Sequence, residues 1–463
     1  MSKRPRVHFA SQGSTKRSRK QCFKSPFGFN VTAYSNLIVK PCPLGAVTHQ
    51  LTNTILRFRD GEPAFSEPNK VFEVDKVEGL YVRLKGVSER ILVSSCHTNH
   101  TVSIYKLAHE ILAILHSRPR VRLVKGQRAN PLEVDMRTAI ATERGHSEEQ
   151  VWLNARFEGK TVVLKTTTKL DSMLRYVLEA MIHETIMRRR PCYVPMLHFV
   201  AFEQVARGEK NRLILCSEQL RRKSVFSWIH SMRSFHPRKD DLNVRLWKML
   251  NRVCQCLRTL QESVSFSHRD CHCNNVYYDD DNRRPDHVKF IDFDWSSILF
   301  NGQRLSVPRH LFDSARPKYA KNKSIDLCIF LRTIGPALRK PVSLQSKTQF
   351  TEKDMVDIRK WDEFECRTEM FYNNIWKPLM KRYERETEAF LRAEAKDSTV
   401  AMQLFKLNLG PKRTFGHIHG LRNLIKKNPK QGVELDYRLG YYEWSSMTPR
   451  AILNFLDTHR FTY

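Results

Sequence analysis

Two short segments limit what this chain can become. Ser267-His268-Arg269-Asp270-Cys271-His272-Cys273-Asn274-Asn275-Val276 is followed, across a short strand pair, by Val288-Lys289-Phe290-Ile291-Asp292-Phe293-Asp294. His-Arg-Asp alone arises by chance and says little. With Asn five positions after the Asp, a strand pair, and then Ile-Asp-Phe, the combination is much more restrictive. The bland alternative is a hairpin whose turn, Asp279 to Asp286, is merely acidic.

Together the segments resemble the catalytic loop (H-R-D-x-x-x-x-N) and the metal-binding loop (D-F-G) of protein kinases. The resemblance implies an α+β, two-lobed protein kinase-like fold, with a small β-rich N-lobe, a larger helical C-lobe and an N-terminal extension. It also implies ATP and magnesium as cofactors. Asp270 is then the base for a hydroxyl acceptor, and Asn275 and Asp292 are the metal ligands. The spacing suits that chemistry, because a phosphoryl group in transfer needs mainly positioning and charge stabilisation.

Further positions follow from the same resemblance. Val162-Val163-Leu164-Lys165 is similar to the strand whose lysine contacts the nucleotide phosphates and pairs with a helix glutamate. The helix expected over Ser172 to Arg190, stopped by Pro191, carries Glu179 and Glu184. Five residues apart, they point about 140° apart, so only one can face Lys165. Ala180, Met181 and Met187 favour Glu184 as the inward one, with Glu179 as the alternative. The glycine-rich loop should precede Val151, yet Gly145 is the only glycine from Glu143 to Val151. Glycines there let backbone amides approach phosphates closely. The link between lobes falls at Ser217-Glu218-Gln219, making Glu218 a candidate for the adenine edge. Arg269 often pairs in the family with a phosphate on the segment matching Trp295 to Ser324, where Ser306, Ser314 or Tyr319 could carry one. Ser324-Ile325-Asp326-Leu327 resembles the helix start whose aspartate braces the catalytic loop.

Periodicity adds the scaffold. Strands are expected at Val71 to Val74, Leu80 to Leu84 and Arg90 to Val93, and as a hairpin of Met196 to Phe202 with Arg212 to Ser217. Ile104, Leu107, Ile111 and Leu115 mark a helix ending before Pro119, and Leu246 to Leu260 a long one. Further helical patterns run from Phe371 to Leu391, and a last one from Met447 resembles the end of a kinase C-lobe. The domains read as a basic tail (1–24), an extension (25–137) and the kinase-like domain (138–463), divided near residue 218.

Charge bears on partners. Seventy-nine Lys and Arg stand against 48 Asp and Glu among 463 residues, a formal +31. Such a surface attracts polyanions, which points to acidic or chromatin-associated protein substrates and admits nucleic acid. Lys3-Arg4-Pro5-Arg6 and Lys16-Arg17-Ser18-Arg19-Lys20 look like a bipartite import signal, so the nucleus and its import machinery are expected. No apolar run reaches membrane-spanning length, and no membrane partner is expected. Eleven scattered cysteines form no framework. Cys271, His272 and Cys273 lack the second ligand pair that zinc requires.

Two departures widen the acceptor question. Asp294 replaces the glycine of D-F-G, and His272 stands two positions after the catalytic Asp, as in haspin-type kinases and the aminoglycoside and choline kinase relatives. A serine/threonine protein kinase acting in the nucleus is the first expectation, with His272 near the transferring group. A pseudokinase scaffold and a small-molecule hydroxyl kinase are the alternatives.

Overall fold

The computed structural model describes residues 74–78, 81–84, 90–92, 111–112, 115–116, 120–125, 133–146, 149–204, 210–234, 242–280, 288–300, 303–306, 323–341, 351–394 and 442–459. The basic tail, Ser314 and Tyr319 lie outside them, and of the helix expected up to Pro119 only 111–112 and 115–116 are described, as helical. β1 (Val74–Glu78), β2 (Tyr81–Leu84) and β3 (Arg90–Leu92) form an antiparallel sheet in that order. β1 starts at the last residue of the expected Val71 to Val74, whose residues 71–73 lie outside the described ones, and its antiparallel register pairs Glu78 with Tyr81 of β2.

A seven-stranded sheet comes next. Its strands are β4 (Arg122–Val124), β5 (Glu133–Asp135), β6 (Ile140–His146), β7 (Glu149–Phe157), β8 (Lys160–Thr167), β9 (Leu197–Phe202) and β10 (Leu213–Glu218), ordered β4-β5-β7-β8-β10-β9 with β6 also on β7. β7 and β8 are joined by Glu158 and Gly159, both at positive φ, as a two-residue hairpin turn requires. The expected hairpin of β9 and β10 is present and antiparallel.

The two ends of the sheet meet. Val121 N–H donates to the Phe202 carbonyl (2.9 Å), and Gln204 N–H donates to the Val121 carbonyl (2.8 Å). The sheet thus curls around an apolar interior of Val121, Val134, Ala155, Val162, Leu164, Ala201, Ile214 and Cys216. β4 and β5, which precede residue 138, belong to the same sheet as β7, and they occupy edges that would otherwise present unpaired N–H and C=O groups.

Helix α1 (Leu170–Arg189) crosses between β8 and β9 and ends before Pro191 with Arg188 and Arg189 in its last turn. It is buried nearly all the way round, Glu179, His183, Glu184 and Thr185 included. Its apolar residues join a second, larger core built on α2 (Val225–Ser234) and α3 (Leu242–Val264), where Leu246, Met249, Leu250, Val253, Leu257 and Leu260 are fully buried. That core continues through α4 (Ile325–Ala337), α5 (Glu352–Phe371), a π-helical turn at Tyr372–Trp376, α6 (Lys377–Glu394) and α7 (Pro449–Thr458). Caps fix two starts: Thr351 and Asp354 form a reciprocal capping box, and Thr448 accepts from Ala451 N–H. Among the described residues, no helix is long and apolar enough to cross a membrane.

The smaller strands hold loops in place. β11 (Lys223–Ser224), β12 (Val276–Tyr278) and β13 (Val288–Phe290) make a three-stranded sheet, and β14 (Ser297–Phe300) pairs with β15 (Gln303–Ser306). The architecture is therefore mixed α+β, a curled sheet beside a helical body.

Candidate active site

Asp326 organises the first loop. It sits fully buried in the first turn of α4, and its carboxylate accepts from the His268 N–H (2.9 Å) and the Arg269 N–H (2.7 Å). Burial raises this carboxyl, while His268, Arg269 and the two N–H bonds act against it. The clamp holds Arg269 at φ +62°, a conformation costly for a non-glycine residue. The Arg269 side chain is buried and donates from Nη2 to the Ser296 carbonyl (2.6 Å), so the guanidinium expected to meet a phosphate is engaged in the loop itself.

The hairpin of β12 and β13 then joins the two motifs. Val276 pairs with Phe290, and Ile291 N–H donates to the Asn275 carbonyl (3.0 Å), which brings Asp292 beside Asn275. Asn275 Nδ2 donates to the Asp270 carbonyl (3.1 Å), fixing the amide so that its oxygen is the end left to face a ligand. His272 Nε2 lies 3.7 Å from Asp270 Oδ2. Cys271 is fully buried, which pushes its thiol up, and Cys273 Sγ contacts the Thr333 carbonyl.

β8 delivers the lysine by alternation: Val162 and Leu164 face the sheet interior, and Lys165 faces the opposite side. Its Nζ donates to Glu179 Oε1 (2.7 Å) and Asp292 Oδ1 (2.6 Å). The expected partner, Glu184, instead binds Arg188 one turn on (Nε to Oε1, 2.9 Å). Apolar neighbours could not separate the two glutamates, because both are only 2% exposed. Burial disfavours the Lys165 charge, but Asp292, Glu179 and Asp294 outweigh it and hold the ammonium well above its ordinary value. Burial likewise pushes Glu179 up to about 7, Asp292 and Asp294 adding to the shift and Lys165 opposing it. Around this ammonium stand three carboxylates, those of Glu179, Asp292 and Asp294.

These groups stand at one end of a cavity of about 370 Å³ between the curled sheet and the helical body. Val151, Leu153, Val163 and Leu215 line it from the sheet, with Ser217 to Leu220 at the linker and Lys165, Asn275 and Asp292 as polar groups. The volume lies in the range of small-molecule pockets. Gly145 lies in β6, in the stretch between Thr142 and His146 where the register with β7 shifts. Glu218 lines the cavity, but its N–H donates to the Met196 carbonyl (2.7 Å) and its Oε2 accepts from Met196 N–H (3.0 Å). The neighbouring Gln219 N–H donates to the Thr161 carbonyl (3.1 Å), so neither N–H is offered to a ligand edge.

One contact here has no signal in the local sequence. Asn154, at φ +61° beside a β-bulge, donates from its N–H to Gln219 Oε1 (2.6 Å), and Gln219 Nε2 donates back to Asn154 Oδ1 (2.8 Å). The sheet is thereby latched to the linker over the cavity.

His183, one turn past Glu179, packs its ring 5.0 Å from Phe293 and donates from Nε2 to the Pro195 carbonyl (2.8 Å). Burial lowers its pKa from 6.5 to about 4, against the Pro195 hydrogen bond. Below pH 6.5 the unfolded chain takes up a proton that the folded chain refuses until about pH 4. Stability from this group is therefore full above pH 6.5, falls as pH drops to about 4, and then levels off, a loss of about 3 kcal/mol. In His183→Gln, which keeps a donor for Pro195, the pH dependence of unfolding free energy should flatten by that amount. A wild-type minus variant difference that stays constant from pH 4 to 7 would refute it.

The cavity's donor set fits magnesium with a polyphosphate. Magnesium is commonly held by one or two protein oxygens with substrate phosphates and water, and the excess of carboxylates over Lys165 is a negative field that a divalent cation relieves. Among the described residues, no group of three or more His, Cys, Asp and Glu could hold a metal by itself.

No protein-family model matches the chain, and no curated protein does. Among solved structures, one neighbour is described as WaaP in complex with acyl carrier protein, at 10% identity and a TM-score of 0.28, covering 50% of this chain and 82% of that one. A likeness at that level carries no argument about the site.

Proposed function

We propose that this chain is an ATP- and magnesium-dependent phosphotransferase of two-lobed, protein kinase-like architecture, and that its acceptor is a serine or threonine hydroxyl of a nuclear protein. The observation that carries the reading is the convergence of Lys165, Asn275 and Asp292 on one cavity, with Asp270 on the adjoining loop. In this reading Lys165, oriented by Glu179, positions the nucleotide phosphates. Asn275 and Asp292 hold magnesium, which neutralises charge on the transferring group. Asp270 accepts the hydroxyl proton and aligns the oxygen for in-line attack. In the same reading His272, whose Nε2 is 3.7 Å from Asp270 Oδ2, contacts the transferring group. The His-Arg-Asp form, the tail of residues 3–20 and the basic charge favour a macromolecular acceptor, acidic or chromatin-associated.

A second reading is a scaffold for acidic proteins or nucleic acid. It is favoured by the Glu218 and Gln219 N–H groups, both already engaged, and by the close Lys165–Asp292 pair.

The test is transfer of labelled γ-phosphate from ATP with magnesium, with Asp292→Asn as control and with acidic proteins, basic proteins and small hydroxyl compounds as acceptors. Label on protein that disappears in the control is the expected result. Label confined to a small compound would move the assignment to a metabolite kinase. No label, with no thermal stabilisation by ATP and magnesium, would favour the scaffold.

A further inference from the structure

Behind the linker, on the side away from Lys165, lies a second cavity of about 610 Å³. It shares Glu218, Gln219, Leu220 and Arg222 with the first, so the linker is a wall common to both. Its charged lining is Lys160, Arg221, Arg222 and Lys289 against Glu218 alone.

The inner groups are built in. Lys289 is the middle residue of a fully buried strand, where its Nζ donates to the Val194 carbonyl (3.1 Å) and stands 3.7 Å from Glu218 Oε2. One acceptor does not exhaust the three donors of an ammonium. Arg222 is mostly buried and has Asp279 at 3.8 Å. His198 lines the same space, with Nε2 buried and lacking a hydrogen-bond partner. Burial and Lys160 hold its pKa down, with Glu218 and Glu158 opposing. In the adjacent cavity around Trp228, Arg221, Arg222, Lys223 and Arg245 stand against Asp279 and Asp280, so the basic lining there is matched in part.

We propose that this cavity is a second ligand site, taking a phosphomonoester dianion, and that its occupancy changes nucleotide affinity through the shared linker. Arg221 supplies a planar fork for phosphate oxygens, Arg222 adds charge behind it, and two ammoniums supply point charges, a combination suited to a tetrahedral dianion. Coupling follows from the wall: Glu218 is held between Lys289 and Met196, and Gln219 is latched to Asn154 over the nucleotide pocket. A ligand that draws Lys289 away from Glu218 acts on both contacts, and linkage makes the effect reciprocal.

The test uses the full chain and calorimetric titration with inorganic phosphate, a phosphoserine peptide and its unphosphorylated form. Wild type should bind both phosphate probes, and Lys160→Gln/Arg221→Gln should bind them at least tenfold more weakly with an unchanged melting temperature. Lys160→Ala/Arg221→Lys, which keeps the positive charge at 221 but loses its fork, should fall between. Tighter binding of the phosphopeptide would identify a phosphorylated protein as the source, and parity would identify a free phosphomonoester. ATP affinity should differ between phosphate-free and phosphate-saturated protein by severalfold. Equal binding to wild type and double variant, or none to either, would overturn the site, and an unchanged ATP affinity would overturn the coupling. None of these readouts needs turnover: the phosphate titrations stand or fall apart from the phosphotransferase reading, whereas the coupling rests on the nucleotide binding which that reading includes.

Discussion

Asp270→Asn is expected to lower phosphoryl transfer by roughly 10²–10⁴-fold, the range attributed to a positioned general base. Nucleotide affinity and melting temperature should stay at wild-type values. The backbone of Asp270 anchors the loop, its carbonyl accepting from His272 N–H (2.8 Å) and Asn275 Nδ2 (3.1 Å), and an isosteric amide disturbs neither bond. Its side chain is partly exposed beside His272, so Asn can be accommodated without burying a new unpaired group. What changes is basicity: an amide accepts a hydrogen bond but takes no proton. Single-turnover rates with saturating ATP and magnesium separate this from a binding defect. Turnover within threefold of wild type would remove Asp270 from the mechanism.

Asp326→Ala is expected to act on the fold and through it on the site. Its carboxylate serves two buried N–H groups, those of His268 and Arg269. Each orphaned donor costs about 1–3 kcal/mol, so the variant should lose about 2–6 kcal/mol of stability. The loss should be concentrated where Arg269 is held at positive φ, since that conformation persists only while its surroundings impose it. Asp326→Asn keeps one acceptor oxygen and should lose about half as much. Denaturant unfolding measures the stability, and hydrogen exchange of the His268 and Arg269 amides measures the loop. An alanine variant with native stability and native protection of both amides would contradict the clamp.

Spacing revealed much of this site because the loop chemistry is local. Asp270, Asn275 and Asp292 are joined by one hairpin, and the four residues Ser324 to Leu327 announce the clamp from their order alone. Lys165 was legible from the apolar run before it. The glutamate partner was not. Residues along α1 are buried on every side, so apolar neighbours report burial without direction, and the choice of Glu184 over Glu179 had no physical basis in the sequence. Asp294 read as a departure from a motif, whereas it acts on both Lys165 and Glu179. The Asn154–Gln219 latch joins residues 65 apart in sequence through paired amides, and no local pattern encodes that. β4 and β5 are three residues each, too short for alternation to rise above chance.

The meeting of Val121 with Phe202 and Gln204 has a practical consequence for anyone trimming the gene. A fragment starting at residue 138 would retain every group assigned to catalysis, yet it would lose β4 and β5. It would open the seam beside β9 and uncover part of β7, leaving strand edges able to recruit other chains. Its failure to stay in solution would say nothing about the active site. A minimal fragment has to begin upstream of Val121.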